Sequence, residues 1–142
     1  MKKYIGTKMI EAEPMTKFEY NKLKDRNIPG EDQEGYKVGY FYDMTKTDKA
    51  GYESWSPKTQ FEEAYRESTN LNFGIAIELA KKGFKVARQG WNGKGMYLEM
   101  QNVDENSKMG YPYIYLKTVD NKFVPWNPNN LDMLSEDWVI VK

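Results

Sequence analysis

The chain has 142 residues, enough for one ordinary domain or two very small ones. Lys plus Arg and Asp plus Glu number 21 each, so no net positive field draws in a nucleic-acid backbone, and neither DNA nor RNA is expected as a partner. With no Cys and no His, the chain has no thiolate nucleophile, no imidazole base and no nitrogen- or sulfur-ligated zinc site; only an oxygen-ligated Mg²⁺ or Ca²⁺ stays within its reach.

Aromatic residues make up 15% of the chain, more than so small a core needs, which points to flat, partly exposed binding surfaces. The opening Met1-Lys2-Lys3-Tyr4-Ile5 is basic without the apolar run of a signal peptide, and no stretch reaches membrane-spanning length. A cytoplasmic location without a membrane partner is the expectation, and the lack of cysteine agrees with it.

In chain order, Tyr4 to Ala12 reads as a strand ending near Pro14. Thr16 followed by Glu19 has the spacing of a capping box and opens a short helix that closes before Pro29-Gly30. Tyr36 to Tyr42 and Tyr52 to Trp55 read as paired strands, separated by an exposed polar loop from Asp43 to Gly51. Ser56-Pro57 has the form of an N-cap and first helical residue, predicting a helix to about Arg66 with Trp55 packed beneath it. The run Glu67-Ser68-Thr69-Asn70 has no apolar period and reads as a linker, dividing the chain into residues 1–67 and 71–142.

Beyond the linker, Asn72 caps a predicted amphipathic helix, Phe73 to Lys82, which buries Ile75, Ala76, Leu79 and Ala80 and stops at Gly83. Strands follow at Lys85 to Gln89, Met96 to Met100, Tyr113 to Thr118, Lys122 to Pro125 and Trp138 to Val141, with a turn at Asp120-Asn121. The fold class is α+β: a small antiparallel sheet with one packed helix, preceded by a small α+β module.

The most informative segment is Arg88-Gln89-Gly90-Trp91-Asn92-Gly93-Lys94-Gly95-Met96. Its glycines let backbone approach a ligand or take positive φ, Trp91 offers a face for stacking, Asn92 both donates and accepts, and Arg88 and Lys94 can neutralise phosphate. The same residues also fit a glycine-rich hairpin whose Trp covers the sheet edge. Tyr111-Pro112-Tyr113 and Pro125-Trp126 add rings, and Asp132, Glu136 and Asp137 add acceptors for ribose hydroxyls or base amino groups. Trp126 and Asp132 fit plain packing equally well, and Trp138, inside a Val-Ile-Val strand, reads as core.

Several ordered blocks carry a resemblance: Leu71-Asn72-Phe73-Gly74, then Lys85-Val86-Ala87-Arg88 leading into Gly90-Trp91-Asn92-Gly93-Lys94-Gly95-Met96, then Tyr113 with Leu116-Lys117-Thr118, and finally Val124-Pro125-Trp126, Asp132-Met133-Leu134 and Glu136-Asp137-Trp138. Over residues 71–142 the chain resembles the second Thoeris anti-defence family, phage proteins that sequester a cyclic ADP-ribose isomer made by bacterial TIR-domain immunity. The resemblance implies an α+β fold, a homotetramer with pockets between subunits, no cofactor, no catalytic residues, and action in the cytoplasm of the infected bacterium. It makes Trp91 the ligand-stacking residue. The ligand set expected around it is Phe73, Arg88, Asn92, Gly93, Lys94, Gly95, Tyr113, Trp126, Asp132 and Asp137. The family often has a polar Ser-Gln-Thr run where this chain has Asn129-Asn130-Leu131, a departure that bears on ligand preference, since some relatives take cyclic dinucleotides. Residues 1–67 resemble a short module of unassigned role in phage proteins.

Two other functions fit the same composition. Asp132, Glu136 and Asp137 could hold Mg²⁺ beside a phosphodiester and degrade the signal. Alternatively, Tyr and Trp platforms could recognise carbohydrate as a virion module.

Overall fold

The computed structural model describes residues 1–6, 8–41 and 49–142. The chain forms two units, Met1–Arg66 and Glu67–Lys142, each built on its own antiparallel sheet with helices, so the fold is α+β.

The first unit is a three-stranded sheet in the order β1-β2-β3, formed by Ile10–Pro14, Gly35–Phe41 and Lys49–Pro57. Strand β1 begins at Ile10, opposite Tyr40 of β2, and not at Tyr4; Tyr4 and Ile5 are exposed. Helix α1, Lys17–Leu23, starts as its sequence predicts: the Thr16 hydroxyl accepts the Glu19 amide while the Glu19 carboxylate accepts the Thr16 amide.

Helix α2, Lys58–Ala64, departs from expectation at its start, with Pro57 as the N-cap and no side-chain cap. Ser56 stays in the ladder opposite Tyr36, so sheet pairing takes the backbone that the Ser-Pro signal would have given to the helix. Phe61 of α2 stacks on Tyr36 at 4.1 Å, whereas Trp55 is held at the entry to α1, its indole N–H donating to the Met15 carbonyl at 2.8 Å. The predicted loop from Asp43 to Gly51 lies outside the described residues as far as 48, and its last three residues belong to β3.

The second unit is a five-stranded sheet in the order β7-β6-β5-β4-β8, made of Phe123–Pro125, Tyr113–Lys117, Tyr97–Gln101, Lys85–Arg88 and Trp138–Val141. Helix α3, Phe73–Lys81, covers one face. Asn72 caps it by accepting the Ile75 amide at 2.9 Å, a contact that stabilises a helix by about 1 kcal/mol, and Gly83 ends it at φ 95°, where a side chain would be strained. Ala76, Leu79 and Ala80 face Val86 and Leu98, with Trp138 fully buried beside them. Leu71 and Trp138 exchange backbone hydrogen bonds, closing the start of the unit onto its last strand.

Strands β4 to β7 follow one another across the sheet, but β8 returns to pair with β4. The connection from 126 to 137 must therefore pass from one sheet edge to the other. It contains a helix the sequence analysis missed, α4, Asn130–Leu134. Among the described residues no helix is long and apolar enough to cross a membrane.

Candidate functional site

The crossing connection brings Trp126, α4 and Asp137 to the loop between β4 and β5. Residue alternation places Arg88 on the same face as Val86 and its cross-strand partner Trp138, so Arg88 points to the helix side of the sheet. A tight turn then reverses the chain, with the Trp91 amide donating to the Arg88 carbonyl at 3.3 Å.

Trp91, Trp126, Trp138 and Phe73 form one aromatic cluster. Trp91 meets Trp138 edge-on at 5.5 Å and Trp126 at 6.5 Å between ring centres, while Phe73 lies 5.8 Å from Trp138 and 6.3 Å from Trp126. Such tilted contacts match the ring edge of one to the electron-rich face of the next. Only Trp138 is fully buried; Trp91, Trp126 and Phe73 keep part of their surface in solvent. The result is an aromatic wall anchored on core and half open outward. Asn92, Lys94 and Gly95 are exposed beside it.

Three charged residues of the site, Arg88, Asp132 and Asp137, are engaged with one another. Arg88 Nε donates to Asp137 Oδ1 at 2.9 Å and Nη1 to Asp132 Oδ1 at 3.1 Å. Asp137 Oδ2 accepts the Gly90 amide at 2.8 Å, and Asp132 Oδ1 accepts the Trp91 indole N–H at 3.4 Å. Asp132 is buried, its other oxygen accepting the Asn129 amide at 3.1 Å while its own amide donates to Asn129 Oδ1 at 2.8 Å, the capping box of α4. The hydrogen bond to Asp137 raises the pKa of the Arg88 guanidinium against the opposing effect of burial. Burial pushes the Asp137 carboxyl up, but Arg88 and the Gly90 amide outweigh it and hold the group below the ordinary carboxylate range.

Each glycine of the loop also has an internal reason. A Cβ on Gly90 would stand 2.8 Å from Asp137 Oδ2, and one on Gly93 would stand 2.3 Å from both Met96 Sδ and Val119 Cγ2. Gly95 has φ 74°, and its carbonyl accepts Lys117 Nζ at 3.0 Å.

Of the residues expected around a ligand, the fold gathers Phe73, Arg88, Trp91, Trp126, Asp132 and Asp137, with Asn92, Gly93, Lys94 and Gly95 in the adjoining loop. Tyr113 stands apart. Its register with Gln101 puts it on the face opposite Leu98 and α3, in a shallow groove of about 320 Å³ lined also by Tyr115, Phe123, Val124 and Pro125. On that face the Tyr115 hydroxyl donates to Glu99, and burial with that carboxylate raises the phenol pKa. The cap role of Asn129 is what the sequence reading overlooked; its spacing of three to Asp132 is a cap signal, hidden in a polar run. Leu131, by contrast, is 73% exposed on α4. Among the described residues no group of three carboxylates is placed to hold a metal ion.

Fold and site together define a small α+β domain with an aromatic wall at the sheet end and an Arg88–Asp132–Asp137 ion-pair cluster behind it. A family model described as the Thoeris anti-defense 2-like domain matches residues 71–141, which contain every one of these side chains. Thoeris anti-defense 2 of Bacillus phage SP01 is 40% identical over 86 residues, spanning 51% of this chain and 97% of that protein. The chain belongs to the Thoeris anti-defense 2-like family.

Proposed function

We propose that the protein counters Thoeris immunity by binding and sequestering a cyclic ADP-ribose isomer without cleaving it, in the cytoplasm of an infected bacterium. The observation that carries the reading is the half-open Trp91 ring, backed by Trp126 and Trp138, inside the family-matched region. A stacked base on such a ring gains about 1–3 kcal/mol without requiring hydrogen-bond readout. Asn92 and Lys94 stand exposed next to it to meet ribose, base or phosphate. Capture without turnover is supported by the fate of the carboxylates: Asp132 and Asp137, which a metal-dependent phosphodiesterase would need, are spent on Arg88. A homotetramer with pockets between subunits is part of the proposal, because one unit this small does not enclose a dinucleotide-sized ligand by itself. Cyclic dinucleotides are a second ligand class within the same mechanism.

The test is the fate of the signal. Incubated with the protein, the cyclic ADP-ribose isomer should disappear from the free pool in proportion to protein added and stop disappearing when the pockets are full. Heating the complex should return the same molecule, identified by chromatography. A linear or hydrolysed product, formed in excess over protein and dependent on Mg²⁺, would establish an enzyme instead.

A further inference from the structure

Sequence reasoning assigns Arg88 to a ligand phosphate, but its guanidinium is turned into the fold, with 16% of the side chain exposed. Two carboxylates hold it, so the cluster carries a net negative charge, which repels a phosphate and does not attract one. Both carboxylates have a further grip on the loop that carries Trp91: Asp137 on the Gly90 amide, Asp132 on the indole N–H of Trp91 itself. Behind the loop, both are anchored in the framework. The Asp132 backbone carbonyl accepts the indole N–H of buried Trp138 at 3.0 Å, and the Asp137 carbonyl accepts the Gln89 amide at 3.0 Å.

We propose that Arg88, Asp132 and Asp137 form a clamp that fixes Trp91 in its stacking position and make no contact with the ligand. This rests on the reading of Trp91 as the capture residue. The loop lies directly on the clamp, since even a Cβ at Gly90 would stand 3.3 Å from Arg88 Nη2. Losing one arm releases the turn from 88 to 91, and a ring held loosely must be ordered by the ligand at the ligand's expense.

The experiment uses the full chain labelled with 5-fluorotryptophan, which gives one ¹⁹F resonance for each of the four Trp residues, that of Trp91 being assigned by its loss in Trp91→Phe. In Asp137→Asn, and in Arg88→Lys, the Trp91 resonance should shift or broaden while that of Trp55 stays in place, with near-UV circular dichroism reporting a folded protein. Affinity for the cyclic ADP-ribose isomer should fall about tenfold or more in both. For Asp137→Asn this direction is diagnostic, because removing a carboxylate near an anion site would strengthen binding if only direct charge mattered. In Arg88→Gln, affinity should fall while its dependence on salt concentration keeps the wild-type slope; loss of a direct phosphate contact would lower that slope. An unmoved Trp91 resonance in the folded variants, tighter binding by Asp137→Asn, or a reduced salt slope overturns the clamp. If the unaltered protein fails to bind the isomer, the capture reading falls, and the Trp91 resonance still decides the clamp.

Discussion

Trp91 and Trp138 touch each other edge-on at 5.5 Å, yet their burial divides their work. Trp138 has no exposed surface, its amide pairs with Leu71 and its indole N–H reaches the Asp132 carbonyl. Replacing a ring so placed by Ala costs about 3–5 kcal/mol in lost burial and residual cavity. At about 4–8 °C per kcal/mol for a domain of this size, Trp138→Ala should lower the melting temperature by well over ten degrees or prevent folding altogether. Trp91 keeps solvent on its outer side, so Trp91→Ala forfeits only the inner contacts. Calorimetry should register a drop of a few degrees for Trp91→Ala, and titration of the same sample should find ligand capture abolished. Equal drops in both variants would make Trp91 a core residue and leave the wall without a binding face.

Elements that announce themselves locally were legible in the sequence. Thr16 with Glu19 and Asn72 before an apolar stripe each place a cap within three residues of its partner, and both helices begin where those residues say. Helix α4 was not legible because Leu131, Met133 and Leu134 are all exposed and give no inward stripe to read. Ser56-Pro57 misled because a ladder with Tyr36, twenty residues upstream, overrides the local preference. The same distinction governs the site. Trp91 among glycines is conspicuous in sequence, but the partners of Arg88 lie 44 and 49 residues away, so its commitment to Asp132 and Asp137 arises only when β8 closes against β4. A matched pair of cap variants uses this difference. Thr16→Ala and Asn129→Ala each delete one cap, and each should cost about 1 kcal/mol of stability by denaturant titration. Only Asn129→Ala should also weaken capture, since Asn129 holds the Asp132 carboxylate that meets Arg88 and Trp91. Equal loss of capture in both would mean that the effect is global destabilisation.

At the scale of the whole molecule, the two units differ in what is asked of them. About half of this chain matches 97% of the phage relative's length, and the family model covers residues 71–141, which lie within the second unit, Glu67–Lys142. The internal closure of the second unit agrees with an independent fold. Leu71 at its start and Trp138 near its end exchange both backbone hydrogen bonds, and the strand order returns β8 to β4. Every side chain of the wall and the clamp also lies within it. A chain consisting of residues 67–142 should therefore melt in one cooperative transition, bind the cyclic ADP-ribose isomer as tightly as the full chain, and run in light scattering at four times its own mass. Residues 1–66 carry a separate sheet with its own buried Val38 and Tyr20, and deleting them should leave those three measurements unchanged. Loss of capture with the tetramer preserved would place a ligand contact in the first unit; loss of the tetramer would place the assembly contacts there, and with them one side of any pocket formed between subunits.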